Sequence, residues 1–428
     1  MNRYKRSQEY LERAMKVTPG AAQTLSKSPK RFPQGAFPVA VSYGEGARIF
    51  DLDGNAYVDW IGALGAVPLG YSQGKLYTEV LSQYDLGAAF SLPHKSEVEL
   101  AERLCTKIPC AEMVRFVNSG SEATEAAIRT ARIATGRDMI LTVKSGYHSW
   151  HSWFQAVKDW HPGVPDAYTQ VIHGLPYNDL SAWRQSFEVC DVDGYKVAAV
   201  ILEPCLFEKP ADGFLQGMRD LCTEHGAVLI FDEMVTGYRW ALAGGQEYFK
   251  VTPDLATYGK GMANGLPIGM LCGKREYMQH AELISGTFGG NAVSLAAANA
   301  VLDVYESEPV IKTMWKRGQE LQDYFNSAAA LCNANAVCDG YAVKPRFKFD
   351  YGEKSNLAMS LFLQETAAGG ALFHPGGNNC CYALTDEDMH RTFIAIERGL
   401  TIVADSALHD DWSALKGDII KPVVTVRQ

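Results

Sequence analysis

The residue pattern predicts an α/β fold in which a mostly parallel sheet, covered by helices on both sides, forms a large domain beside a smaller α+β one. Three observations carry this. The runs DMILTV, KVAAVILEP and AVLIFDE are apolar without alternation, as in strands buried on both faces. Helical patterns such as FLQGMRDLCTEHG separate them, and strands alternating with helices pair in parallel. After about Glu308 the texture changes to a looser mix of helices and strand.

Taken in order, Ser7 to Val17 reads as an amphipathic helix that stops before Thr18-Pro19-Gly20, and an extended Pro/Gly/Ser-rich passage runs on to Pro38. ARIFDLDGNAYVDW reads as a β-hairpin turning at Asp53-Gly54-Asn55. Lys95 to Thr106 is expected to be a helix with Val98, Leu100 and Leu104 near one face. MVRFVNSG is a strand, and Glu122 to Thr135 an Ala-rich helix closed by Gly136. Val228 to Phe231 is a buried strand that delivers Asp232 and Glu233 to its C-terminal end, and LATYG is a second short strand ending at Lys260. Ala292 to Tyr305 reads as a buried helix. A helix through Trp315 to Phe325, a strand near Arg346–Phe349, a helix through Leu361 to Ala368 and a long helix from Asp386 follow. The expected division is an N-terminal segment 1–60, a large domain 61–307 and a C-terminal domain 308–428.

Composition excludes several roles. A net charge of −9 over 428 residues argues against a nucleic-acid partner, since phosphate binding needs a basic face. No apolar run reaches membrane-spanning length, and the charged start MNRYKRSQEYLERAMK is unlike a signal peptide. The ten Cys include no C-x-x-C pair and read as reduced thiols, so a soluble, cytoplasmic protein is expected. His148 and His151 form an H-x-x-H pair with no third ligand nearby, and no metal is expected. GKGMANG lacks the spacing and the strand–glycine–helix setting of a dinucleotide fingerprint, which excludes nicotinamide binding.

The chemistry concentrates between Asp232 and Lys260, 28 residues apart. An Asp after a buried strand is more often a turn former than a catalyst, and a Lys between glycines more often a solvated turn. Their pairing changes the weight, because a lone amine and a strand-tip acid are what pyridoxal phosphate (PLP) chemistry needs: a Schiff-base lysine and an anion for the pyridine nitrogen. NSGSEA, where a strand meets a helix N-terminus, suits an anion, although Ser119 and Glu122 also fit a plain capping box.

With DLDGNAYVDW, NSGSEATEAAIRTAR, GYHSWH, ILEP, FDEMVTGYR, GKGMANGLPIG and SGTFGGN in this order, the chain resembles the class III PLP-dependent aminotransferases of fold type I, in the branch of glutamate-1-semialdehyde 2,1-aminomutase, from about Lys16 to about Arg398. The resemblance implies a small domain built from both chain ends and the following roles. Lys260 holds the cofactor and moves the proton, while Asp232 pairs with the ring nitrogen. Gly120 and Ser121 hold the phosphate, Tyr147 stacks on the ring with His148 beside it, and Met234 packs beneath it. Glu203 stands at the cofactor edge. Thr287 reaches the phosphate of a neighbouring subunit, which implies a homodimer with shared active sites. Arg31 matches the arginine that meets the substrate carboxylate, and Trp150 is a second candidate substrate contact.

The chain departs from that family at Ala292, where Pro is usual, and at Leu64, where the aminomutase carries an aromatic. HSWHSWF and GVPDAY resemble a subgroup from surface-polysaccharide or modified-sugar pathways. The implied reaction moves an amino group between a small-molecule donor and a carbonyl acceptor. Intramolecular amino transfer, racemisation or epimerisation, and a cofactor-free binding protein on the same fold are the alternatives.

Overall fold

The computed structural model describes residues 3–159, 161–192, 194–205 and 207–421. Residues 3–73 pack with 312–421 as one compact unit, and Gly74–Ile311 form the other.

In the first unit a helix spans Lys5–Val17, starting two residues before the expected Ser7. The reason is tertiary. The Asp53 carboxylate accepts from the backbone N–H groups of Arg6 (2.7 Å) and Ser7 (3.0 Å), which a helix N-terminus leaves without partners. Asp53 belongs to the predicted hairpin, formed by β2 (Arg48–Asp51) and β3 (Ala56–Asp59), with β1 (Val41–Glu45) antiparallel to β2. Its turn is held by the Asp51 carboxylate, which accepts from Asp53 N–H, Asn55 N–H and the Tyr57 hydroxyl.

The second unit is built on seven strands: β4 (Met113–Val117), β5 (Met139–Val143), β6 (Ile172–Leu175), β7 (Val197–Leu202), β8 (Val228–Asp232), β9 (Leu255–Gly259) and β10 (Gly269–Gly273). Their order is β4-β10-β9-β8-β7-β5-β6. The strands β5 to β9 pair in parallel, and β10 runs antiparallel to both β9 and β4. Residues 260–268 join β9 to β10, too short a link for a parallel crossover of a dozen or more residues.

Every residue of β5, β7, β8, β9 and β10 is buried, as their unbroken apolar character demands. Ile140 and Ile230 face a cluster containing Ala127, Ile128 and Ala131 of the helix Gly120–Thr135. Leu141, Leu229 and Phe231 face Trp183, Phe187 and Met218 on the helices Leu180–Val192 and Phe214–His225. Neighbouring side chains thus feed two cores, one on each side of the sheet.

The helix Lys95–Lys107 corrects one expectation: Leu100 and Leu104 are buried, but Val98 is exposed. Leu100 and Leu104 are four residues apart and share a face, whereas a residue two positions away points elsewhere.

The C-terminal part supplies the helix Val310–Leu331, the hairpin β11 (Ala336–Tyr341) and β12 (Lys344–Phe349), and the helix Ser355–Ala368. β13 (Ala371–Leu372) pairs in parallel with β3, and the helix Asp386–His409 is started by a Thr385–Asp388 capping box.

Buried His374 makes this first unit sensitive to acid. Its Nδ1 accepts from Gly376 N–H (2.9 Å) and Nε2 lies 3.1 Å from the Ser26 carbonyl, an arrangement that suits the neutral Nε2–H ring. Burial, with Arg31 and Lys344 adding to it, pushes its pKa down to about 4. A group whose folded pKa is depressed stabilises the fold above its unfolded pKa, and that contribution is lost as pH falls through the folded value. Between roughly pH 6.5 and 4 the loss amounts to about 3 kcal/mol at most. Urea midpoints measured across that range should fall in wild type, and part of the fall should vanish in His374→Gln.

Candidate active site

Three neighbouring parallel strands end together at one edge of the sheet: Leu202 of β7 pairs with Phe231 of β8, and Asp232 of β8 pairs with Thr257 of β9. Glu203, Asp232 and Lys260 follow at those three tips, the crevice where open α/β sheets place ligands. Asp232 and Lys260 are thereby brought to adjacent strand ends.

The Asp232 carboxylate is buried and well partnered. His148 Nδ1 lies 2.7 Å from Oδ2, and Oδ1 accepts from Met234 N–H (3.1 Å) and the Thr257 hydroxyl (3.2 Å). Opposite a carboxylate, Nδ1 carries the proton, and His148 Nε2 is left enclosed with no hydrogen-bond partner among the described residues. The next residue has a different task. Glu233 accepts from the Thr236 hydroxyl, Gly245 N–H (2.6 Å) and Gln246 N–H (2.8 Å), and so pins the loop after the strand. Burial lifts its pKa to about 7.

Lys260 begins the tight turn Lys260–Ala263 with φ of 42°, the left-handed region that disfavours any side chain bearing a Cβ. Desolvation lowers its pKa from the ordinary lysine value, Asp232 and Glu203 oppose that, and Arg239 adds to the lowering. A desolvated lysine is more readily neutral, the form that attacks a carbonyl.

Gly120 and Ser121 open the helix Gly120–Thr135, whose geometry gives their N–H groups no intrahelical acceptor. Half of the predicted capping box is present: Ser119 Oγ accepts from Glu122 N–H, but the Glu122 carboxylate accepts from Asn118 N–H instead of Ser119 N–H. The Thr124 hydroxyl, 2.9 Å from the His148 carbonyl, ties this helix to the segment behind Asp232.

Met234 joins these parts. A Cβ on either Gly120 or Gly259 would lie 2.9 Å from its sulfur, so the thioether fills the space that both glycines leave. Gly120→Ala should therefore displace Met234 and cost about 2 kcal/mol of stability, with Met234→Ala in the same chain relieving part of that clash, as urea titrations of the three variants would check.

The remaining predicted residues are less enclosed. Tyr147 is exposed and meets Phe154 edge-on, with ring centroids 6.0 Å apart. Trp150 is 71% exposed and packs edge-on against His151. Thr287 stands exposed in a loop whose Leu283 and Phe288 are exposed too. Arg31 belongs to the other unit, where its Nη1 donates to the Lys421 carbonyl.

Sequence reading missed Thr257, Thr124 and Lys158. Thr257 carried a signal, being a hydroxyl in an otherwise apolar buried strand that must find an acceptor. Lys158 carried none. Its Nζ donates to the carbonyls of Lys144 (2.9 Å) and Gly146 (2.7 Å), lies 4.6 Å from the Phe154 ring centroid and feels the charge of Glu203. Ala292 explains its own departure, because its N–H donates to the Ala88 carbonyl (2.9 Å), a bond that proline cannot make. Leu64 lies in a turn with φ of 61°. Among the described residues no group of three or more His, Cys, Asp or Glu is placed to hold a metal, and no helix is long and apolar enough to cross a membrane.

A carboxylate with acceptor capacity left, a desolvated amine and an open helix N-terminus, grouped at the carboxyl edge of this sheet, fit PLP and define the fold type I class. Residues 32–337 match the model of the aminotransferase class-III family. A glutamate-1-semialdehyde 2,1-aminomutase of Methanococcus maripaludis is 33% identical over 92% of this chain and 97% of its own length. Another, from Brevibacillus brevis, is 34% identical over 92% and 98%. Among solved structures, PLP-containing FumI of Sphingopyxis sp. MTA144 superposes with a TM-score of 0.88 at 27% identity, covering 98% of this chain and 100% of that one. The β-phenylalanine aminotransferase of Variovorax paradoxus gives 0.80 at 26%, covering 92% and 93%. The chain belongs to the class III aminotransferase family, and it is a PLP-dependent enzyme.

Proposed function

We propose that this enzyme moves an amino group from a small-molecule donor to a separate carbonyl acceptor, with Lys260 and Asp232 as its catalytic residues. The observation that carries this is the placing of those two side chains on adjacent strand tips, the acid buried and the amine desolvated. When bound, PLP supplies an electron sink that lets a proton leave the carbon bearing the amine. Lys260 would hold the cofactor through Nζ and, once the incoming amine displaces it, would use that Nζ to take the proton and return it. Asp232, kept in place by His148, Met234 N–H and Thr257, would accept the hydrogen bond of the ring nitrogen. Gly120 and Ser121 would hold the cofactor through its phosphate, and Tyr147, Met234 and Glu203 would complete its site. Trp150 and Arg31 are assigned to the substrate.

The unit Gly74–Ile311 serves as the cofactor-binding domain and the other as the small domain. We take the active form to be a homodimer in which Thr287 completes the partner's phosphate site. Tyr77, Leu81, Tyr84, Leu86, Phe90 and Leu92, exposed apolar residues of the larger unit, support that reading. The ten cysteines, read as reduced thiols, support a reducing, cytoplasmic setting.

Intramolecular amino transfer is the second reading, favoured by relatives named as aminomutases along nearly their whole length. Leu64, in place of the aminomutase aromatic, weighs against it. The sugar-pathway resemblance gains no support from these relatives. One experiment separates the first two. Enzyme in its pyridoxamine form is given a single amino-aldehyde and no second acceptor, and the products are resolved by chiral chromatography. Isomerisation under those conditions rejects the two-substrate reading, and inversion of a supplied amino acid alone indicates racemisation. Turnover that requires a second carbonyl compound supports the reading proposed.

A further inference from the structure

We infer that the C-terminal segment 416–421 is part of the substrate site, where it holds Arg31 so that the Nε–Nη2 edge of the guanidinium is offered to a substrate carboxylate. The inference rests on the assignment of Arg31 to the substrate carboxylate and deepens it: recognition of that carboxylate depends on a second stretch of chain.

Arg31 closes the short turn Pro29–Arg31. Its Nη1, the nitrogen on the Cδ side, donates to the Lys421 carbonyl. On the other edge Nε is buried with no hydrogen-bond partner among the described residues. That edge, Nε with Nη2, presents two parallel N–H donors and matches a carboxylate bidentately. A buried N–H without an acceptor is costly, and an incoming anion relieves that cost where a neutral group does not. Desolvation already acts on this side chain and lowers its pKa from the ordinary arginine value.

The segment that supplies the Lys421 carbonyl is itself fixed. Lys416 N–H (2.7 Å) and Gly417 N–H (3.1 Å) both donate to Gln364 Oε1, and Ile420 N–H donates to Ser360 Oγ (2.9 Å). Ser360 and Gln364 are buried on the helix Ser355–Ala368. On its other side the segment meets the chain that follows Arg31, where Asp418 N–H donates to the Gln34 carbonyl (3.1 Å). Gly417 lies so close to Pro33 that a Cβ there would come within 2.7 Å of its Cβ and its carbonyl oxygen. Helix, segment and Arg31 therefore form one fixed stack, and the orientation of the guanidinium is set by contacts far from it in sequence.

The test uses holoenzyme of wild type, Gly417→Ala, Ser360→Ala and Arg31→Gln. Each is assayed with an amino acid that wild type accepts and with the corresponding amino amide, which lacks the carboxylate. Gly417→Ala wedges the segment from Pro33, and Ser360→Ala removes one hydrogen bond without adding volume, so it carries the test if the first variant fails to fold. Both should raise KM for the amino acid about tenfold, with kcat and the amide kinetics within about twofold of wild type, and Arg31→Gln should raise that KM further. If Arg31→Gln loses its preference for the carboxylate while both segment variants keep wild-type KM, the inference is wrong and the assignment of Arg31 survives. Unchanged preference in Arg31→Gln sinks both. Equal slowing of amino acid and amide in the segment variants also overturns it, because a merely structural role acts on both substrates alike.

Discussion

Lys260→Ala, purified and supplied with PLP, is expected to turn over its amine substrate at least about ten-thousandfold more slowly than wild type, because one substitution removes both the covalent anchor and the proton carrier. The visible absorbance band that reports the lysine-bound cofactor should vanish with it. Lysine is required at this position for chemistry and not for folding, since the backbone there suits another residue better: φ at 260 is 42°. In the apoenzyme, Lys260→Gly should accordingly be more stable than Lys260→Ala by about 1 kcal/mol in urea titrations, glycine having no Cβ to strain. The two readouts separate the roles. Equal loss of turnover in both variants, with unequal stability, places the whole catalytic defect on the missing amine. A Lys260→Ala enzyme retaining activity within tenfold of wild type would remove the basis of the proposed mechanism.

What could be read in the chain was whatever is encoded locally. Val228–Asp232 and Leu255–Gly259 declare themselves by unbroken apolar runs, and the acid and amine that matter come directly after each, so the pair was visible before any coordinates. Gly136 closing the helix Gly120–Thr135 at φ of 65° is equally local. Contacts that depend on distant residues were hidden. His148 turns onto Asp232 across 84 residues of chain, the first turn of the Lys5–Val17 helix is capped by Asp53, and Arg31 is held by a carbonyl 390 residues away. Val98 was misplaced for a different reason, because an apolar residue does not declare which side of a helix the core will cover. The site was therefore legible in its reacting groups and illegible in the groups that hold them.

Asp232→Asn should show what those supporting groups do. Asparagine keeps the volume and one carbonyl oxygen but loses the charge, so kcat is expected to fall about a thousandfold while cofactor content stays near one per chain, held by Lys260 and the helix N-terminus. Neither orientation of the amide satisfies its surroundings. With its oxygen toward His148, the NH2 faces Met234 N–H, a donor against a donor. With its oxygen toward Met234 and Thr257, the NH2 faces His148 Nδ1. The ring must then carry its proton on Nε2, which is enclosed and has no partner among the described residues. His148→Gln tests the support itself. A milder loss, about tenfold in kcat, is expected, because a flexible amide holds the carboxylate less firmly than the packed imidazole does. A His148→Gln enzyme with wild-type kcat would make His148 a packing residue, and would leave Thr257 and Met234 N–H as the contacts that hold Asp232 in place.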